Sequence, residues 1–241
     1  MRLSSRETEV LVHPSAIVDR DAILDEGVRV GPFCVVEGGT RIGRGTVLDT
    51  GAQVLRGTTL GANNHLGPYA ILGGAPMDLK YRGEESFLVV GDRNRIREFS
   101  TIHRATGAGE VTRVGNDNFV MAYVHITHNC VVGDWNIIPN AAQVAGHVVI
   151  EDHCTFGGTV GVHQFCRIGS YSMVGMNSKV TRDVLPYTLA DGHPAHHYGL
   201  NVVGLRRRGI AGEDRAGLGE VLRAIRHGVP LDAFEDLAGR T

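Results

Sequence analysis

From Val18 onward every sixth residue is apolar: Leu24, Val30, Val36, Ile42, Leu48, Val54, Leu60, Leu66 and Leu72 follow without a gap. The same phase returns at Val90, Ile96 and Ile102, and again from Val114 to Val180, with interruptions only near 73–89 and 103–113. Glycine often follows the aliphatic residue, as at Gly31, Gly43, Gly61 and Gly91, which predicts a turn that needs a permissive backbone. Four residues after the aliphatic the side chain is usually small, as at Ala22, Thr40, Ala52, Ala142 and Ser172. One large and one small inward position in each period predict a short strand and a turn, repeated as the sides of a triangular prism. Three sides of six make one coil, so residues one coil apart in sequence should be stacked neighbours about 4.8 Å apart. The repeat predicts close to ten coils over 12–190.

Beyond Pro186 the period of six fades, and Leu218, Val221, Leu222 and Ile225 take up helical spacing. The chain therefore divides into an N-terminal extension (1–11), a β-helix domain (12–190) and a short C-terminal α-helical appendage (191–241), with one helix expected over 213–227 and a second over 231–237. The phase also assigns the cysteines. Cys34, Cys130, Cys154 and Cys166 all fall on the small inward position, which makes them core residues rather than disulfides or metal ligands.

Composition narrows the partners. Thirty-three glycines with only 6% aromatic residues suit a repeat architecture better than an ordinary globular core. Lys and Arg number 24 against 26 Asp and Glu, which gives no global attraction to nucleic acid or anionic membrane. The first ten residues carry charges and no apolar run, and no stretch is long and apolar enough to span a bilayer, so a soluble, cytoplasmic chain without stable membrane insertion is expected.

Among 12 histidines, His125, His128, His147 and His163 leave remainders of 17, 2, 3 and 1 on division by 18, and so share one corner of the prism, whereas His103 and His153 fall elsewhere. Gly146 lies one full coil beyond His128 and should be its direct neighbour in the stack. A cluster of imidazoles marks a site. Two chemistries fit it: one imidazole acting as a general base, or three holding zinc, as in the γ-class carbonic anhydrases built on this kind of prism. A non-catalytic solenoid scaffold is the third reading, and periodicity does not separate them.

The motifs Asp78-Leu79-Lys80-Tyr81, 91–98 (GDRNRIRE), Ile102-His103-Arg104, His125-Ile126-Thr127-His128, Ala145-Gly146-His147, Val162-His163-Gln164-Phe165 and 204–209 (GLRRRG) carry a resemblance over roughly residues 12 to 211. Together they resemble the acyl carrier protein-dependent UDP-N-acetylglucosamine O-acyltransferases, which open lipid A synthesis. The resemblance implies a left-handed coil, a homotrimer with sites between neighbouring prisms, and direct transfer of a 3-hydroxyacyl chain from acyl carrier protein to the sugar without metal or cofactor. It implies His128 as the base and the Gly146 N–H as the oxyanion donor. It further implies that Asp78, Lys80, His125 and His147 position sugar and phosphates, that His163 and Gln164 contact substrate, and that Asn201, Arg207 and Arg208 meet the nucleotide and the acidic carrier protein. Met176 occupies the place of a residue that ends the acyl pocket, which implies a shorter chain of about ten carbons, each buried methylene counting roughly 0.8 kcal/mol. Two positions depart from the pattern: Asn129 stands where an Asp is frequent beside the histidine, and Val203 where an acidic residue is frequent.

Overall fold

A computed structural model describes residues 9–228. The chain winds as a left-handed parallel β-helix whose three faces are sheets of 11, 9 and 8 strands, most strands only two residues long. Register follows the coil length: Arg29 pairs with Val47, Val47 with His65, and Val131 with Val149, each exchange advancing by one regular coil. Where the period of six lapses, the register widens. Leu66 pairs with Ile96, and Ile96 with Val120, both spanning more chain than a regular coil. Two excursions cause this. A long loop leaves the prism between strands Ile71–Gly74 and Phe87–Val90, and a shorter one between Thr101–His103 and Val111–Val114.

The aliphatic positions fill the axis, with Ile42, Leu66, Ile102, Ile126 and Ile138 all fully buried. The four cysteines are buried and free, and burial pushes the Cys130 and Cys154 thiols up to about 12, so they behave as small core groups. A polar column runs inside one corner at the small position. The side-chain amide of Asn94 donates to Asn64 and that of Asn118 to Asn94, both at 3.0 Å, so these buried amides satisfy one another.

The glycines after the aliphatic residue serve a purpose other than the expected one. Gly43 and Gly91 do not have positive φ; a Cβ there would stand 2.5 Å from the Gly61 carbonyl and from Asn116 Oδ1 of the next coil. Close stacking, not backbone freedom, selects them. The left-handed backbone instead falls two residues later and is held mostly by residues other than glycine, many of them aromatic. Tyr69, Phe99 and Tyr123 (φ 57°, 58° and 60°) occupy one corner, Trp135, His153, Tyr171 and Tyr187 (φ 59–64°) a second, and Asn129, His147 and Phe165 (φ 58–66°) the third. Each such residue costs about 1–2 kcal/mol of local energy. Ring stacking offsets this: successive centroids are 5.5 and 5.1 Å apart on the first corner and 6.2, 4.7 and 5.4 Å on the second.

The last coil ends in strand Thr188–Gly192, which pairs parallel with Met173–Val174 and then antiparallel with Ala195–Leu200. Two helices follow, α1 (Val202–Arg207) and α2 (Gly212–Arg226). The side chain of Asn201 caps α1 by accepting from the Gly204 N–H at 3.1 Å. Helix α2 packs on strand Ala195–Leu200 and buries Leu222. The expected helix over 231–237 lies outside the described residues. No described helix is long and apolar enough to cross a membrane.

Candidate active site

His128 sits where the strand His125–Ile126 turns toward Val131–Val132. Its ring lies over the bare Cα of Gly146 on the next coil: a Cβ there would be 2.7 Å from His128 Cε1 and 2.8 Å from Nε2. The stacking expected from the coil spacing is therefore real, and only glycine leaves room for the imidazole.

The tautomer of His128 follows from its neighbours. Asn129 Nδ2 donates to the Thr106 carbonyl at 3.0 Å, and Asn129 Oδ1 accepts from the Thr106 N–H at 2.9 Å, so the backbone fixes which end of the amide is oxygen. That oxygen lies 2.9 Å from His128 Nδ1, which must therefore carry the proton. Nε2 is left with a free lone pair. Thr106 belongs to the shorter excursion, which the longer one braces: Arg104 donates to the Tyr81 hydroxyl and the Gly73 carbonyl, both at 2.9 Å, and the Gly107 N–H donates to Glu84 at 2.9 Å.

Gly146 also brings a free donor. Its N–H has no acceptor among the described residues. At this turn position the backbone ladder leaves the N–H unclaimed, as Pro14, Pro32 and Pro68 show on another corner, and elsewhere a side chain takes it, as Glu37 does from Arg56 and Asp92 from Ala62.

His125, His128, Gly146, His163 and Gln164 line one open groove of about 540 Å³, joined by Met77 from the longer loop. His125 bonds Thr101 Oγ1 through Nδ1 at 2.6 Å, and burial, followed by the nearby His103, pulls it below the ordinary histidine range. His147 borders this cluster, edge-on to His128 at 5.3 Å and stacked on Phe165 at 4.8 Å; burial and then His128 lower it. The Asp78 carboxyl is held below the usual carboxylate range, first by the Lys80 N–H and also by the charge of His128, while Lys80 is exposed on the same loop. The loop lies against the histidine corner, where its Met77 lines the groove.

His103 corrects the sequence arithmetic. It is nearly buried, edge-on to His125 at 5.0 Å, and donates from Nδ1 to the Ala75 carbonyl at 2.7 Å. It belongs to the site cluster. Counting in regular coils misplaces it because the first excursion lengthens its coil by two hexads and the second by one, so the count fails between them and recovers afterwards. Arg104, Thr106 and Thr101 also escape the sequence reasoning as site residues; the lapse in the repeat is the signal that could have found them.

The remaining expected residues lie apart. Asn201, Val203, Arg207 and Arg208 line a second groove of about 390 Å³ on a different face, with Ile137, Thr155 and Met173. Met176 is 63% exposed on the turn that leads into strand Lys179–Val180, outside the lining of the histidine groove.

A family model described as Udp N-acetylglucosamine O-acyltransferase, domain 2, matches residues 183–237. The acyl-[acyl-carrier-protein]--UDP-N-acetylglucosamine O-acyltransferase of Paraburkholderia phymatum is 50% identical over 223 residues, covering 92% of this chain and 85% of that protein. Its counterpart in Alkalilimnicola ehrlichii is 51% identical over 229 residues, covering 94% and 89%. The crystal structure of UDP-N-acetylglucosamine O-acyltransferase from Moraxella catarrhalis superposes with a TM-score of 0.89 at 42% identity, over 95% of this chain and 90% of that one. With this agreement across nearly the whole length, the chain belongs to the family of acyl-[acyl-carrier-protein]--UDP-N-acetylglucosamine O-acyltransferases.

Proposed function

We propose that this protein transfers a 3-hydroxyacyl chain from acyl carrier protein to the 3-hydroxyl of UDP-N-acetylglucosamine, the opening step of lipid A synthesis, in the cytoplasm. The observation that carries the chemistry is the pairing of His128 with Gly146: a lone pair at Nε2 beside an unused N–H on the adjacent coil. His128 Nε2 takes the proton as the sugar oxygen attacks the thioester carbonyl. The charge that collects on the carbonyl oxygen is met by the Gly146 N–H. Collapse of the adduct releases the carrier thiol, which recovers the proton from the imidazolium.

Around this centre His125, His147, His163, Gln164, Asp78 and Lys80 hold sugar and phosphates. The groove is open on a single prism, and Leu79 and Met77 on the loop above it are 96% and 70% exposed. A homotrimer supplies the missing wall and brings the Asn201, Arg207 and Arg208 groove of one prism toward the histidines of the next. Arg207 and Arg208 then meet nucleotide phosphates and the acidic carrier. Val203, 63% exposed in that groove, gives ribose no carboxylate, so uridine recognition relies on other partners. Met176 flanks the same face as the histidine groove and ends the acyl path between prisms.

The zinc hydratase reading requires three converging imidazole nitrogens. Among the described residues no group of three or more His, Cys, Asp or Glu is disposed to hold an ion. Incorporation of a labelled 3-hydroxyacyl chain from its carrier protein into UDP-N-acetylglucosamine tests the proposal. Transfer that persists in a chelator supports it. Absence of transfer, or transfer abolished by chelation and restored by zinc, overturns it.

A further inference from the structure

The second corner of the prism carries a stack of rings that the proposed acyl transfer does not use. Trp135, His153, Tyr171 and Tyr187 stack along it, and one residue from beyond the prism reaches them. Arg208, immediately after α1, places its guanidinium 5.8 Å from the centre of the Tyr171 ring and brings Nη1 to 2.6 Å from His153 Nδ1 and Nη2 to 3.4 Å from the His153 carbonyl. A guanidinium has donors only and does not lose its proton in a protein. His153 Nδ1 must therefore be an acceptor, and the contact exists only with the imidazole neutral.

We propose that His153 is a positioning residue that latches Arg208, and with it the end of α1, to the aromatic corner, and that the latch opens when His153 takes up a proton. This rests on the reading of Arg208 as a nucleotide-phosphate ligand. Protonation puts a hydrogen on Nδ1, so that two donors and two positive charges face each other across the same gap. Arg208 then leaves the ladder and loses its fixed aim into the groove it lines with Asn201, Gly204 and Arg207. The charged groups around His153 are Arg208, which opposes protonation, and Asp152 and Asp134, which favour it; burial, the largest influence, acts with Arg208 to hold the imidazole below its ordinary range. The latch is therefore shut at neutral pH and opens in mild acid.

Trp135 is the chain's single tryptophan and stacks on His153 with an interplanar angle of 16°, which supplies a reporter independent of turnover. A cationic imidazole in contact with indole quenches its fluorescence. In the intact protein without ligand, Trp135 emission should fall through a single transition whose midpoint lies below about 6.5. The transition should vanish in His153→Gln and His153→Phe and move upward in Arg208→Met. Absence of the transition in the unsubstituted protein, or an unmoved midpoint in Arg208→Met, overturns the latch.

Binding of UDP by calorimetry then tests the consequence. Between about pH 8 and about pH 5.5 the unsubstituted protein should lose more affinity than His153→Gln, by up to about tenfold, because the Gln amide oxygen accepts from Arg208 but does not titrate. His153→Phe should bind UDP more weakly than His153→Gln already at about pH 8. The fluorescence behaviour as stated, with identical pH dependence of UDP binding in all forms, would leave the contact standing and overturn Arg208 as a phosphate ligand and His153 as its positioner.

Discussion

Two corners of the same prism meet one backbone requirement in different ways. On the corner of Tyr69, Phe99 and Tyr123, side chains in the left-handed region stack on one another and add nothing else. On the corner of Asn129, His147 and Phe165, the same backbone position has been put to chemical use: Asn129 holds the His128 tautomer, and His147 borders the groove. The difference lies in what flanks each corner. The excursions that interrupt the repeat lie beside the histidine corner, and their backbone supplies the Thr106 contacts that fix Asn129. A uniform solenoid can offer a row of side chains; here a break in the repeat holds one of them in a chosen tautomer.

Substitutions on the two corners should therefore separate turnover from stability. His128→Ala should lower kcat by about 10²–10⁴-fold and leave the oligomeric state and Tm nearly unchanged, because the ring fills no part of the aliphatic axis. Steady-state kinetics with thermal unfolding checks both halves; activity within a few-fold of the parent would remove His128 as the base. Gly146→Ala should cost about 10²-fold in kcat, since the new methyl stands 2.7 Å from the ring and the loop contacts resist its retreat. KM should change far less.

Phe99→Ala should do the reverse, destabilising the fold by about 1–3 kcal/mol through loss of two stacked contacts while kcat stays within about twofold. Denaturant unfolding reads the first and the transfer assay the second. A large loss of turnover with unchanged stability would erase the distinction between the corners.

The pH dependence of stability gives a subtler contrast. His103 and His125 have folded-state values below their unfolded ones, chiefly through burial, so the unfolded chain binds protons first as pH falls. Their contribution is fully present above about 6.5 and is lost as pH drops below it. Tm should decline between about pH 7.5 and about pH 5, and His103→Gln should flatten that decline. The smallest expected effect is in selectivity: Met176→Gly should shift preference from 3-hydroxyacyl chains of about ten carbons toward longer ones, without loss of kcat on the preferred chain, by opening the end of the path. A competition assay over charged carrier proteins of different chain length checks this, and an unchanged length profile would take Met176 out of the role.

The architecture was legible because a period of six is dictated by close packing around an axis, so Ile42, Leu66 and Ile126 declare themselves from sequence alone. The pairing of His128 with Gly146 was legible for the same reason, both lying where the coil has its regular length. His103 was not, because a residue count carries no information about chain that leaves the prism and returns. The aromatic corners were hidden by the assumption that a left-handed turn calls for glycine. Their signal was present all the same, as Tyr69, Phe99, Tyr123, Trp135, His153, Phe165 and Tyr171 all stand three residues past an apolar inward position.

At the centre of this account is His128 Nε2 as a base whose tautomer is held by a neutral amide. The most direct measurement is the pH dependence of kcat/KM in the parent and in Asn129→Asp, where a carboxylate would replace that amide. A carboxylate orients the imidazole equally well and in addition stabilises its protonated form. The acid limb of the profile should therefore lie about one unit higher in Asn129→Asp than in the parent. Superimposable profiles would show that Asn129 does not govern His128 and would contradict the account.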